Sequence, residues 1–123
     1  MTRESEYGIM PEILNRWSPR SFTGESIPNE KLMAIFEAAS FAPSSYNGQP
    51  WRFIYAKRDD SEWERLFDLL VDFNKSWAKN ASVLVLIVAR KNFESGDPSP
   101  THQFDSGAAW QNMAIEAQHQ GYH

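Results

Sequence analysis

"APSSYNGQPWRFI", residues 42–54, carries the chain from the end of a helix, through a polar turn, into a strand. Pro43 cannot continue a helix, because it lacks the N–H that the ladder needs. Ser44, Ser45, Asn47, Gly48 and Gln49 follow, which are turn formers with uncharged donors and acceptors. Pro50 and Trp51 then open "WRFIYAK", whose aromatic and β-branched residues predict a strand over Trp51–Ala56. A loop this dense in hydroxyl and amide groups suits the edge of a heteroaromatic ring or a sugar-alcohol chain. An ordinary polar connection uses the same residues, so the loop by itself leaves both readings open.

Before the loop, "PNEKLMAIFEAASFA" predicts a helix from Pro28 to the stop at Pro43. Glu30 falls in its first turn, near the positive end of the dipole, and Leu32, Ile35, Phe36 and Ala39 recur on one face. Further back, "PEILNRW" (Pro11–Trp17) predicts a short helix that ends before Pro19. It runs into "RWSPRSF", residues 16–22, where Arg16, Ser18 and Arg20 alternate around Pro19. Two guanidiniums and a hydroxyl held by a proline turn are the groups a phosphate requires. Cations that favour the end of a helix dipole are the competing explanation.

After the loop, Ser61 followed by Glu64 has the spacing of a capping box, and Trp63, Leu66, Phe67 and Leu70 predict an amphipathic helix behind it. "FNKSWAKNAS" (Phe73–Ser82) joins that helix to the next strand, and Asn74 within it suits either a ligand carbonyl or a helix cap. "SVLVLIVA" is apolar on both alternate sets, which predicts a strand covered on both faces. "ESGDPSP" is a loop, and "THQFDSGAAWQNMAIEAQHQG" is a last helix with Gly121 at its C-terminal turn.

The totals remove several function classes. The chain has 123 residues, a formal net charge of −4 and no cysteine. An acidic balance argues against a general nucleic-acid binder, and the tryptophans then belong to core and interface. The lack of cysteine excludes disulfides, thiolate nucleophiles and thiolate-bound metal. "VLVLIVA" is far shorter than the roughly 20 apolar residues of a membrane span, and the N-terminus has no secretory pattern, so a soluble cytoplasmic protein is expected. His119 and His123 are separated by Gly121 and have no third partner, so no metal site is expected. The inventory of four or five helices and two strands is short of strands for a sheet, which usually has about five. A single domain over residues 1–123, truncated at its C-terminal end, is therefore expected.

In this order, "RWSPRSF", "APSSYNGQPWRFI", "FNKSWAKNASVLVLIVA" and "DSGAAWQNMAIEAQHQG" resemble the FMN-dependent nitroreductase family. The resemblance implies an α+β fold, a mixed sheet sandwiched by helices, incomplete in this chain. It implies an intertwined homodimer with FMN at the interface. It assigns the flavin phosphate and ribityl region to Arg16, Trp17, Ser18 and Arg20. It assigns Pro43, Ser44, Ser45 and Asn47 to a loop that reaches the flavin of the other subunit, and Asn74 to the isoalloxazine. Gln49 is expected to brace the loop. Trp77 stands where some members carry a lysine, and the late strands and basic residues of the family have no counterpart in the 123 residues.

The implied activity is hydride transfer from NAD(P)H through flavin N5 to a nitroaromatic or quinone-like acceptor, with no catalytic side chain, no membrane and no nucleic-acid partner. Dehalogenation or flavin fragmentation would keep the same site. A flavin-binding protein without turnover, or an inactive remnant, is the alternative from another class.

Overall fold

The computed structural model describes residues 3–123. Helix α1 covers Pro11–Asn15 and α2 covers Asn29–Ser40. A 3-10 turn at Ser45–Asn47 leads into β1, Trp51–Lys57. Helices α3 (Trp63–Phe67) and α4 (Asp72–Ala78) precede β2, Val83–Ala89, and α5 runs over His102–His119. Among the described residues no helix is long and apolar enough to cross a membrane.

β1 and β2 pair antiparallel with Trp51 opposite Ala89 and Lys57 opposite Val83. Alternation puts Trp51, Phe53 and Tyr55 on one face. That face lies against α2, where the Phe36 ring sits 5.6 Å from Phe53 and 5.1 Å from Tyr55. Two small buried residues, Ala39 on α2 and Ala109 on α5, meet Trp51 and let the helices approach closely. Ile27, Leu32 and Ile35 extend this core toward Val83, Met113 and Ala117. The Asn112 amide donates to the carbonyl of Ala38 at 3.0 Å and fixes α5 on α2. The end of α5 closes as a Schellman turn. Tyr122 N–H reaches Ala117 O at 2.8 Å, and Gly121 N–H reaches Gln118 O at 3.1 Å. Gly121 takes φ 82°, the left-handed value that turn requires.

Several expectations change. β2 is not covered on both faces: Ile54, Leu86 and Val88 stay exposed, because among the described residues the packing on that side, from α3, Phe22 and Ala81, is gathered at Ala56 and Leu84. Ser61 caps no helix. Asp60 accepts from the N–H of Lys57 at 2.8 Å and, through its carbonyl, from the N–H of Trp63 at 3.1 Å, so the helix begins from a turn at Asp60. The amphipathic pattern Trp63–Leu70 forms one short helix and a turn, with Trp63, Leu66 and Phe67 in the core. The segment expected as a join at Phe73 is helix α4. Helix α1 stops earlier than Trp17, at Asn15. There Arg3 Nη1 donates to the carbonyls of Leu14 (3.2 Å) and Arg16 (2.7 Å), which the end of a helix leaves without partners.

Candidate functional site: a cation segment and a braced loop

Arg16 leaves α1 with extended backbone, and its Nη1 donates to Ser18 Oγ at 3.3 Å. The pair sets a guanidinium and a hydroxyl side by side, as the alternation in "RWSPRSF" requires. Arg20 is exposed and makes no hydrogen bond or ion pair among the described residues. Trp17 is half exposed, its ring edge toward His123 at 6.3 Å. Phe22 anchors the far end of the segment, packing against the core of Ala56, Trp63 and Ala81 and lying 6.0 Å from the Trp77 ring.

One ion pair holds the near end. His119 Nδ1 meets Glu12 Oε1 at 3.0 Å, joining α1 to the last turn of α5. The hydrogen bond to Glu12 raises the His119 pKa above its ordinary 6.5, helped by the charges of Glu12 and Glu116. The same bond lowers Glu12 below 4.5, with its own backbone N–H adding to the effect. Among the described residues no cluster of three or more acidic or imidazole groups is placed to hold a metal ion.

Asn74 lies inside α4, half-buried, and neither caps a helix nor makes a side-chain hydrogen bond among the described residues. It sits one turn before Trp77 and so shares a helix face with the residue that packs on Phe22.

The loop after Pro43 is built differently. Ser45 N–H donates to Asp105 Oδ2 at 3.1 Å, and the same oxygen accepts from Thr101 Oγ1 at 3.0 Å. Asp105 is buried at the start of α5, so its carboxylate ties the loop to that helix. Ser44 Oγ accepts from Gln49 N–H at 3.1 Å, and Gln49 Nε2 donates to Asn47 Oδ1 at 2.9 Å, the bracing role expected of Gln49. Tyr46, Asn47 and Gln49 hold φ of 51°, 52° and 42°. Asparagine tolerates that region, but tyrosine and glutamine are strained in it by about 1–3 kcal/mol each. Gly48 is needed for a close approach: a Cβ there would meet the Phe93 ring at 3.0 Å and Ser45 O at 3.1 Å.

Phe93 belongs to a small turn that leaves β2. Its N–H reaches Asp97 O at 2.9 Å, Ser99 N–H reaches Lys91 O at 2.8 Å, and Arg90 N–H closes on Pro50 O at 2.8 Å. Asp105, Arg90 and Phe93 are site-forming residues that sequence reasoning missed. The acid at the start of a helix was the one legible signal, in "DSGAAWQN".

The structure thus sets Arg16, Trp17, Ser18 and Arg20 in one segment and Pro43, Ser44, Ser45 and Asn47 in another, with Asn74 on α4. It does not bring the two sets together within one chain. The first is fastened to His119 and the second to Asp105. The helical stretch between those two positions of α5 spans roughly 20 Å at the usual rise per residue.

The nitroreductase family profile matches residues 13–76, just over half of the chain. That stretch includes every flavin-site residue expected from the sequence. The chain belongs to the nitroreductase family. It is 36% identical over 66 residues to an oxygen-insensitive NADPH nitroreductase of Helicobacter acinonychis, covering 54% of this chain and 30% of that one. It is 26% identical over 93 residues to the major NAD(P)H-flavin oxidoreductase of Aliivibrio fischeri, covering 72% of this chain and 42% of that one. A crystal structure described as an oxidoreductase containing FMN superposes with a TM-score of 0.92 at 48% identity, over 98% of this chain and 63% of that one. The chain therefore spans less than half the length of these two curated relatives. Its α+β fold is that of the nitroreductases, and the described residues contribute an antiparallel pair of strands to it.

Proposed function

We propose that this chain holds FMN as the cofactor part of an NAD(P)H-dependent oxidoreductase acting on nitroaromatic or quinone-like acceptors. The observation that carries the reading is the Arg16–Ser18 contact, with Arg20 exposed two residues further along the chain, inside the segment matched to the family. A phosphate dianion would find two guanidinium forks and a hydroxyl there, without a carboxylate to displace. The absence of a glycine-rich pyrophosphate loop favours FMN over FAD.

FMN, when bound, would supply the redox chemistry, hydride transfer between NAD(P)H and the acceptor. The side chains hold and orient. Arg16, Ser18 and Arg20 neutralise the phosphate, with Trp17 flanking them. Asn74 offers an amide to the ring. Ser44, Ser45 and Asn47 present uncharged donors on a backbone fixed by Asp105 and Gly48. No side chain in either set is placed as an acid, base or nucleophile, and the proposed chemistry needs none.

The distance along α5 supports a two-copy site. In a C2 dimer the cation segment of one copy faces the loop of the other, and two equal sites follow. Complementation tests this: co-expressing a variant lacking both arginines with one lacking Ser44 and Asn47 should return about half of the flavin load.

Titrating the purified chain with FMN and with FAD tests the cofactor, read by absorbance and by quenching of flavin fluorescence. Saturable FMN binding, tighter than FAD, is expected. NADPH-driven reduction of nitrofurazone then tests turnover. The exposed face at Ile54, Leu86 and Val88 favours a second reading, in which the chain binds flavin without turning over. FMN that binds but is not bleached by NADPH would select it.

A further inference from the structure

Beside the braced loop lies an open cleft of about 700 Å3, lined by Tyr46, Arg52, Arg90, Phe93, Glu94 and Asp97 among others. Of its lining residues only Asn47 belongs to the flavin sets above. Arg52 Nη1 donates to the carbonyls of Gln49 (3.0 Å) and Trp51 (2.6 Å). Its Nη2 and Nε make no hydrogen bond among the described residues. Arg90 Nη2 reaches Gly48 O at 3.5 Å. Carbonyls of successive loop residues, Gly48 and Gln49, thus hold two guanidiniums at one end of the cleft. The nearest counter-charge is Glu94, 4.0 Å from Arg90 and almost wholly in solvent, where its attraction is screened. Asp97 is turned into its own loop, accepting from Ser95 Oγ at 2.8 Å.

Two cations brought together without a buried carboxylate between them favour an anion. Because Arg52 Nη1 is already held by two carbonyls, little of its side-chain freedom remains to be lost on binding. The same cleft is lined by Tyr46, 94% exposed on a strained backbone, with the Phe93 ring edge-on at 5.9 Å. An aromatic shelf next to paired arginines matches a phosphorylated purine nucleoside, the base on the shelf and the phosphate on the forks.

We propose that this cleft takes the phosphate-bearing adenosine end of the nicotinamide dinucleotide, with Arg52 as the main phosphate contact and Tyr46 as the base platform. The inference rests on the NAD(P)H reading above and extends it to a site of its own. It predicts that a 2′-phosphate improves binding, so NADPH is taken in preference to NADH.

The test uses 2′,5′-ADP and inorganic phosphate as probes, titrated calorimetrically into the full chain without flavin. Saturable binding of 2′,5′-ADP is expected, weakening as salt rises. Arg52→Ala should weaken it about tenfold or more, the size of a lost charge-assisted bond. Arg52→Lys should weaken it less, and Tyr46→Asn, which keeps a left-handed backbone, severalfold. In each variant 2′,5′-ADP binding should fall by a larger factor than FMN binding, because Arg52 and Tyr46 also shape the loop. Circular dichroism checks the fold, and if Arg52→Ala unfolds, Arg52→Lys and Tyr46→Asn decide.

Binding indifferent to these substitutions, or no binding at all, overturns the proposal. So does inorganic phosphate binding as tightly as 2′,5′-ADP, which would make the cleft a simple anion site. An FMN loss in Arg52→Ala as large as the 2′,5′-ADP loss would assign the cleft to the flavin instead. Failure of the flavin reading appears separately, as wild-type chain that binds 2′,5′-ADP but not FMN.

Discussion

Around Gly48 the chain is held from three sides: Asp105 bonds Ser45 from α5, Phe93 presses on the glycine from the turn after β2, and Arg52 clasps the carbonyl of Gln49. Around Ser18 it is held only at its ends, by the His119–Glu12 pair and by Phe22 in the core. Between those anchors Trp17, Ser18 and Arg20 are exposed. Both regions are irregular and polar, yet one keeps its shape through its own scaffold and the other keeps its side chains available. A loop that offers weak neutral donors must be pre-shaped to bind at all. A segment that offers full charges can be ordered by the ligand itself.

The sharpest way to break this contrast is Asp105→Ala. It strands the Ser45 N–H and the Thr101 hydroxyl, and urea denaturation should show a loss of about 2–3 kcal/mol, as for a buried charge-assisted pair. A loss below about 0.5 kcal/mol would mean the loop is not braced from α5.

On the other side, Arg16→Ala and Arg20→Ala should each weaken FMN binding by about 1–3 kcal/mol. The melting temperature should hardly move. If stability collapses and flavin affinity stays, the arginines serve the helix end and the contrast is false.

Gly48→Ala should destabilise by about 1 kcal/mol, the low end for overpacking. The half-buried Phe93 ring has room to shift, whereas the Ser45 carbonyl does not. Flavin affinity should fall alongside stability, which distinguishes this loop from the cation segment.

The smallest effect is electrostatic. His119 is raised in the folded chain, so its contribution is full below its ordinary 6.5 and is lost as pH climbs through the raised value. Glu12 is lowered, so its share is full above 4.5 and is lost as pH falls through the lowered value. The anchor of α1 on α5 therefore works best between these limits. Comparing wild type with His119→Gln at about pH 5.5 and about pH 8.5 should show a stability difference only at the lower pH. An equal difference at both would mean that packing, not charge, holds α1.

How far the sequence foretold these regions follows from how local their causes are. α2 was legible because Leu32, Ile35 and Ala39 repeat at helical spacing and Pro43 stops the pattern, and β1 because "WRFIYAK" opens after Pro50. Arg16, Ser18 and Arg20 were legible as a cluster because they alternate within a few residues. Asp60 displaced Ser61 as the organiser of α3 through contacts with Lys57 and Trp63, which a spacing rule does not register. The apolar run of β2 predicts cover on both faces, because composition records what a strand can bury and not which neighbours arrive. The clasp of residues 90–97 on the loop at 48–50 joins positions about forty apart, and nothing within either stretch announces the other.

α5 fastens one motif at Asp105 and the other at His119, so it acts as a ruler whose length is fixed in quanta. Each added or deleted residue between them changes the spacing by about 1.5 Å and turns one end against the other by about 100°. Substitutions along its exposed face leave that register intact, whereas a single-residue insertion would rotate the His119 anchor away from Glu12 while Asp105 still held the loop. An insertion of four residues nearly restores the phase but moves the anchors about 6 Å further apart. In this protein α5 is thus expected to accept changes of letter far more readily than changes of count.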